Sequence, residues 1–296
     1  MRFKRLQQTL AMVAHVSGRG YWSGLPVTVS FEPAPVNTGI VFKRVDLPGK
    51  PSVAAVAGHR TEATLRTRLN SENCTVEMVE HVMSALYSME IDNCIVHCNA
   101  HELPGLDGSA MAYALAIDRV GTVTQSEACR VVSIDAPHRI GDDRQWIMAL
   151  PTAEPGLQIE YRLDYGRDSA ISSSTFRASL SPKVFLDEIA AARTFVTERE
   201  AEQLQARGLA QHVSHRDLLV FGEDGPIDNV LRFDDECARH KLLDLIGDLA
   251  LCGVSLQGKV VAYRSGHNLN GEMAQWLSTR SNRNHVVRPM ALRKTA

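Results

Sequence analysis

No run of about 18 apolar residues, the length needed to cross a bilayer, occurs in the 296-residue sequence. Basic residues are not in excess either: 32 Lys and Arg stand against 34 Asp and Glu, a formal net charge of -2. That balance lacks the electrostatic footprint of a nucleic-acid binder, so any anionic ligand must be met locally. The six cysteines (Cys74, Cys94, Cys98, Cys129, Cys237, Cys252) form no CxxC pair and no zinc-finger spacing. We expect them to be buried thiols in a reducing compartment. A secretory signal needs a continuous apolar core, and Gln7, Gln8 and His15 interrupt the segment where it would lie. What is present, 44% hydrophobic and 22% charged residues, sits near globular averages. The expectation is a folded, soluble, cytoplasmic protein, and at about 150 residues per domain it has two domains.

The first half reads as strands followed by helices. PVTVSFEP and GIVFKRVD alternate and are rich in β-branched residues, with the turn-forming PAPVNTG between them. Val76, Val79, Met83, Leu86 and Tyr87 recur at helical spacing behind Thr75, which predicts a helix over 74–89 capped by that threonine. A strand, CIVHCNA, places Cys94 and Cys98 on one face, and the turn PGLDG leads to a second helix, SAMAYALAIDRV. The small, polar segment 121–128 is the expected linker, so the N-terminal domain is 1–122 and the C-terminal domain 127–281.

The second half repeats that order. CRVVSIDAP, QWIMALPT, LQIEYRLDY and SSSTFRASL predict strands; SPKVFLDEIAAAR and VTEREAEQLQARG predict helices. Strand DLLVFG, a helix from about Asp234 to Leu251, strand GKVVAYRS and helix LNGEMAQWLSTR follow. Strands then helices, twice, predict an α+β fold of two similar halves. Each is a small β-sheet with helices on one face, and the two stack as a layered sandwich with the site between them. The basic tail, 282–296, is expected to be a solvated terminus or a transient contact with an anionic membrane surface.

RHKLLDLIGDLALCG carries the most chemical information. On a helix, His240 and Asp244 project from one face a turn apart, so an imidazole and a carboxylate can grip one metal ion. Asp248 lies a further turn along, while Leu242, Leu245, Ile246 and Leu249 face the other way. Alone, such a spacing is commonly a surface pair. Partners are needed, and Glu80-His81 offers one: neighbours on a helix point about 100° apart, so His81 can ligate while Glu80 reaches a water. The turn RSGHNLNG offers another, a histidine, His267, at a strand end whose titration range suits protonating a leaving group, oriented by Asp248. Two histidines and one carboxylate make the ligand set of an open catalytic zinc site. The same set also forms the facial triad of non-haem iron oxygenases, although there the pattern is normally His-x-Asp on a strand. His97, His101, His212 and His215 lack a carboxylate at helical spacing and are expected to be solvated. Gly18, Gly20 and Gly24 have the wrong spacing for a dinucleotide loop, and no helix is predicted after them.

Taken together, VEH at 79–81, IDN at 91–93, ELPGLDGSA at 102–110, EIAAARTF at 188–195, HKLLDLIGDL at 240–249 and SGHNLN at 265–270 resemble the UDP-3-O-acyl-N-acetylglucosamine deacetylases. These are zinc amidases that commit a sugar nucleotide to lipid A synthesis. The resemblance runs from about Val13 to Trp276. It implies one catalytic Zn2+ on His81, His240 and Asp244, with Glu80 as general base. It further implies that the Thr194 hydroxyl meets the oxyanion, that Lys241 holds developing negative charge or phosphate, and that His267, backed by Asp248, protonates the departing amine. Phe195 and Ser214 are implied as substrate-binding residues, the substrate being a UDP-linked acylated amino sugar, and the chain is expected to act as a monomer. Four positions depart from the family pattern: Trp22 replaces a histidine, Met78 a threonine, and His212-Val213 a Gly-Gly pair ahead of Ser214. Side chains in place of two glycines lead us to expect altered recognition of the acyl chain or head group. The alternative function is a same-fold sugar-nucleotide or lipid-binding regulator with altered or lost activity.

Overall fold

The computed structural model describes residues 5–283. Each half of the chain builds a sheet with the same strand order. In the first the order across the sheet is Ala14–Arg19, Pro26–Pro33, Cys94–Cys98, Ile40–Arg44, Ser52–Ala54. In the second it is His138–Gly141, Trp146–Leu150, Ser255–Tyr263, Leu157–Leu163, Ser174–Ser179, with Val131–Ser133 also pairing with Ser255–Tyr263. In both, the last strand of the sequence enters between two hairpins, antiparallel to one and parallel to the other. A parallel neighbour demands a crossover, and that crossover supplies the helix that matters in each half.

The helices are α1 (Glu80–Ser88), α2 (Met111–Val120), α3 (Pro182–Val184, widening into Phe185–Ile189), α4 (Glu198–Ala206), α5 (Glu236–Ala250) and α6 (His267–Arg283). Helices α1 and α5 occupy equivalent crossover places in the two halves, as α2 and α6 occupy equivalent places after the inserted strand. The α2 helix packs on the first sheet, α5 and α6 on the second, and α1 crosses α5 between them. This is the layered α+β arrangement of two similar halves. Alternation drives it: Val27, Val29 and Phe31 turn inward from one strand, Val260 and Ala262 from another, all but excluded from water.

Several elements differ from the pattern-based expectation. Residues 74–77 form a strand, Cys74–Glu77, and Thr75 caps nothing; its hydroxyl donates to Asn70 Oδ1 across the hairpin at 2.6 Å. Met78 then turns with φ of 61°, and the helix begins only at Glu80. The expected linker 121–128 is a strand instead, Thr122–Ala128, antiparallel to Leu6–Leu10. Its pairing is made by backbone groups, which its small, polar side chains do not announce. The segment 181–193 is helical only to Ile189, and Val196 belongs to a short strand, Phe195–Thr197, that precedes α4. Thr197 and Glu200 then close a capping box at the start of α4. His267 is not in a turn: it is the first residue of α6. The six cysteines are free, and all but the half-buried Cys129 are buried. The basic tail lies outside the described residues apart from its first two, which end α6. Among the described residues no helix is long and apolar enough to cross a membrane.

The contact between α1 and α5 depends on one glycine. A Cβ on Gly247 would lie 2.0 Å from the Glu80 carbonyl oxygen, so the two backbones meet with no room for a side chain. Neither backbone can yield without moving a buried helix. Gly247→Ala is therefore expected to destabilise the fold by about 1–3 kcal/mol or more, measured as a lower urea midpoint; an unchanged midpoint would mean that the helices separate freely.

Candidate active site

The close helix contact brings three side chains together that the sequence holds far apart. His81 from the first turn of α1 faces His240 and Asp244 from adjacent turns of α5, and one ligand atom from each lies within 4.8 Å of the others. Asp244 Oδ1 is 3.4 Å from His240 Nε2 and 3.6 Å from His81 Nε2. The two rings meet edge to face, 5.2 Å apart at 88°. All three residues are buried, so the polar stripe of α5 is enclosed rather than open to solvent.

The surroundings set the protonation of this trio. The His240 Nδ1–H donates to the Ala192 carbonyl at 3.1 Å, which leaves Nε2 with its lone pair towards Asp244. Burial lowers the His240 pKa to about 4 despite the nearby Asp244, so the ring is neutral. Burial alone would raise the Asp244 pKa, but the Lys241 cation, foremost among its neighbours, outweighs it and holds the carboxyl well below its ordinary range. Asp244 divides its two oxygens: Oδ1 faces the imidazoles, and Oδ2 accepts from Lys241 Nζ at 2.8 Å.

Glu80 and His267 flank this group. Burial raises the pKa of Glu80, with His267 and His81 pulling it back, and Glu80 Oε2 accepts the Thr67 N–H at 3.1 Å. Asp248, fully buried, accepts three donors: Thr67 Oγ1 at 2.5 Å, Asn270 Nδ2 at 2.9 Å and His267 Nδ1 at 2.9 Å. Burial would lower the pKa of His267, yet Asp248, by charge and hydrogen bond, with Asp244 and Glu80, raises it to about 9. Thr67 and Asn270 escaped the sequence reading. A threonine in a loop and an asparagine in a helix carry no spacing signal, and only the need of a buried carboxylate for donors picks them out.

The donor set fits a metal. Two imidazoles, one with its Nε2 lone pair free, and an ionised carboxylate converge in a pocket where burial raises the worth of every charge. The carboxyls of Glu80, Asp244 and Asp248 outnumber the cationic Lys241 and His267 beside them, an excess that a divalent cation relieves.

The remaining candidates divide. Thr194, half-buried, lines the same cavity of about 380 Å³ as Glu80, His81, His240 and His267. Its hydroxyl donates to the Gly108 carbonyl at 3.0 Å, so it must turn to serve a substrate oxygen. Phe195 also lines the cavity, edge-on to His240 with ring centroids 6.1 Å apart. Ser214 does not. It is exposed, its N–H and Oγ both spent on Asp217 Oδ2 at 2.7 and 2.8 Å, and it lines a neighbouring cavity. Met78 and Trp22 both reach the reaction cavity, and the Arg66 guanidinium lies 4.4 Å from the centre of a Trp22 ring. The four histidines expected to be solvated are partly engaged: His97 Nδ1 is 3.0 Å from Glu32, and His212 Nε2 is 3.0 Å from the Gly20 carbonyl.

Comparison with known proteins places this geometry. The pattern of the family described as LpxC, UDP-3-O-acyl N-acetylglycosamine deacetylase, matches residues 7–279. A UDP-3-O-acyl-N-acetylglucosamine deacetylase of Chlamydia felis is 38% identical over 268 residues, covering 90% of this chain and 95% of the relative. That of Idiomarina loihiensis is 36% identical over 274 residues, covering 92% of this chain and 89% of the relative. The bifunctional enzyme LpxC/FabZ of Bacteroides thetaiotaomicron is 36% identical over 294 residues; the match takes in 91% of this chain but 63% of that longer protein. A match from residue 7 to residue 279 takes in both sheets, the crossed helices and every side chain around the cavity, and the chain belongs to the UDP-3-O-acyl N-acetylglycosamine deacetylase family.

Proposed function

We propose that this protein hydrolyses the N-acetyl group of UDP-3-O-acyl-N-acetylglucosamine, releasing acetate, as a step of lipid A biosynthesis. The observation that carries the reading is the convergence on one cavity of a two-histidine, one-aspartate ligand set, a buried glutamate and a histidine held by a second aspartate. Family membership and relatives named for this deacetylation support it. His81, His240 and Asp244 would hold one Zn2+, which when bound polarises the acetyl carbonyl and acidifies water.

The chain's own residues account for the proton traffic. Glu80 accepts the proton of the attacking water, its raised pKa bringing it nearer the range useful to a base at neutral pH. The Thr194 hydroxyl turns from Gly108 to the carbonyl oxygen as that oxygen gains charge. His267, protonated up to about pH 9, gives its proton to the departing amine, and Asp248 keeps the ring aimed and charged. Lys241 is held by Asp244 at the cavity wall, where a cation steadies negative charge on the substrate. Phe195 packs against the sugar end of the substrate, while Ser214 shapes the loop that borders the cavity. The apolar limb formed by Leu65, Val196, Leu204, Ala210, Val213 and Leu218 takes the acyl chain. We assign the reaction to a cytoplasmic monomer in two domains, 1–122 and 127–281, with tail 282–296 touching an anionic membrane surface and with no nucleic acid as partner.

The test is acetate release from the acylated sugar nucleotide by purified protein with and without Zn2+. Activity should vanish on chelation and return with zinc. Glu80→Ala should lower kcat by about 10²–10⁴-fold with zinc still bound, whereas a zinc-loaded wild-type protein that releases no acetate contradicts the proposal. The pH profile gives an independent check. His267 loses its proton as pH rises through about 9, so activity falls on the basic side. Asp248→Asn removes the foremost upward influence on that pKa, and the basic limb should move to lower pH; an unmoved limb assigns the proton to another group.

A further inference from the structure

Thr67 reaches both the base and the acid of the reaction from behind the cavity wall. Its side chain is shut off from water and donates its one hydroxyl proton to Asp248 Oδ1 at 2.5 Å. The lone pairs of that oxygen then face the His267 Nδ1–H, 3.3 Å away, whose first acceptor is Asp248 Oδ2 at 2.9 Å. Asn270 Nδ2 donates to the same Oδ2 at 2.9 Å. These groups close on one another around Nδ1, leaving Nε2 as the ring nitrogen free for the cavity that His267 lines.

The neighbours of Thr67 in the chain aim it. Arg66 and Arg68 both grip Glu77, Arg66 Nε on Oε2 and Arg68 Nε on Oε1, each at 2.6 Å. Arg68 stands directly opposite Glu77 where strand Arg68–Ser71 pairs with strand Cys74–Glu77. Glu77 is buried, so these pairs are weakly screened, and Trp22 covers the Arg66 guanidinium, 4.4 Å from the centre of its ring. Adjacent side chains at a strand point to opposite faces, so neighbours turned to Glu77 leave Thr67 turned to Asp248. The Thr67 N–H donates to Glu80 Oε2 at 3.1 Å and ties the same residue to the first turn of α1. A β-branched side chain on a backbone held this way has little freedom at χ1.

We propose that Thr67 is a positioning residue for the acid of the reaction: its hydroxyl holds Asp248 and the Nδ1 side of His267 in place, so that the proton given to the departing amine leaves from Nε2. The inference rests on the deacetylase reading above and deepens it. The imidazolium carries two ring protons. The Nε2 proton passes to the amine nitrogen as the C–N bond breaks, and the Nδ1 proton stays on the ring, which ends neutral. A donor on Asp248 Oδ1 lessens the pull of that carboxylate on the Nδ1 proton. Without the hydroxyl, Oδ1 is a buried oxygen short of a donor, and the carboxylate grips the ring proton more tightly.

The experiment uses zinc-loaded full-length protein. Thr67→Val keeps the bulk of the side chain and the N–H bond to Glu80 but deletes the hydroxyl; Thr67→Ser keeps the hydroxyl. In acetate release, Thr67→Val should show kcat lowered about 10–100-fold, the usual loss when an outer hydrogen-bond partner is removed, with KM and bound zinc unchanged. Thr67→Ser should recover most of the rate. Equal kcat in wild type and Thr67→Val overturns the proposal. So does an equal loss in Thr67→Val and Thr67→Ser, which assigns the effect to packing, or a loss of zinc in step with activity. If Thr67→Val does not fold, Thr67→Ala takes its place with the same outcomes. Proton NMR of protein with labelled histidine rings gives a readout free of turnover. The His267 Nδ1–H resonance, identified by its disappearance in His267→Gln, should move downfield in Thr67→Val; a resonance that stays or moves upfield overturns the proposal. Absence of acetate release by the wild-type protein would strike the deacetylase reading, while the resonance would still decide the role of Thr67.

Discussion

The site depends on the contact between two crossover helices at a residue with no side chain. Because Gly247 lets the α5 backbone lie against Glu80, the first turn of α1 is held opposite His240 and Asp244. Each helix is fixed in turn by the sheet topology of its half, which inserts the last strand between two hairpins and forces a helical crossover. The two halves contribute unequally to the chemistry. The first supplies Glu80 and His81 from one helix end; the second supplies His240, Lys241, Asp244 and Asp248 along α5, and His267 at the start of α6.

Burying so many charges is costly, and the structure offsets part of that cost by giving each carboxyl a hydrogen-bond donor. Asp248 satisfies itself with a hydroxyl, an amide and an imidazole, and Asp244 shares itself between Lys241 and the two histidines. Thr67 joins the two carboxylate systems, its N–H on Glu80 and its hydroxyl on Asp248. The outcome is two groups of opposite tendency in one cavity: a carboxyl that burial makes more basic and an imidazole that neighbouring carboxylates keep protonated. A base and an acid so matched are what amide hydrolysis needs at its two ends.

Much of this was legible in the sequence, for identifiable reasons. The fourfold spacing of His240, Asp244 and Asp248 survives because α5 is long and regular, and periodicity is most informative there. The repeat of strands and helices was legible for the same reason. Thr75 was misread because a four-residue strand holds too few residues to tell alternation from helical spacing, and the positive φ at Met78 that ends it leaves no mark on residue type. The strand 122–128 looks like a linker in sequence because its small, polar side chains show no apolar alternation, although it pairs along Leu6–Leu10 and Thr122 Oγ1 donates to Gln8 Oε1. Thr67 and Asn270 could not be found at all, since their role is to satisfy a carboxylate distant in sequence.

The central claim is that His81, His240 and Asp244 converge to hold one divalent cation beside Glu80. Anomalous diffraction from crystals of the zinc-loaded protein, recorded on both sides of the zinc edge, tests it most directly. The account predicts a single strong peak about 2.0–2.2 Å from one nitrogen of each histidine and an oxygen of Asp244. A peak coordinated by other side chains, or none between these three, would contradict it.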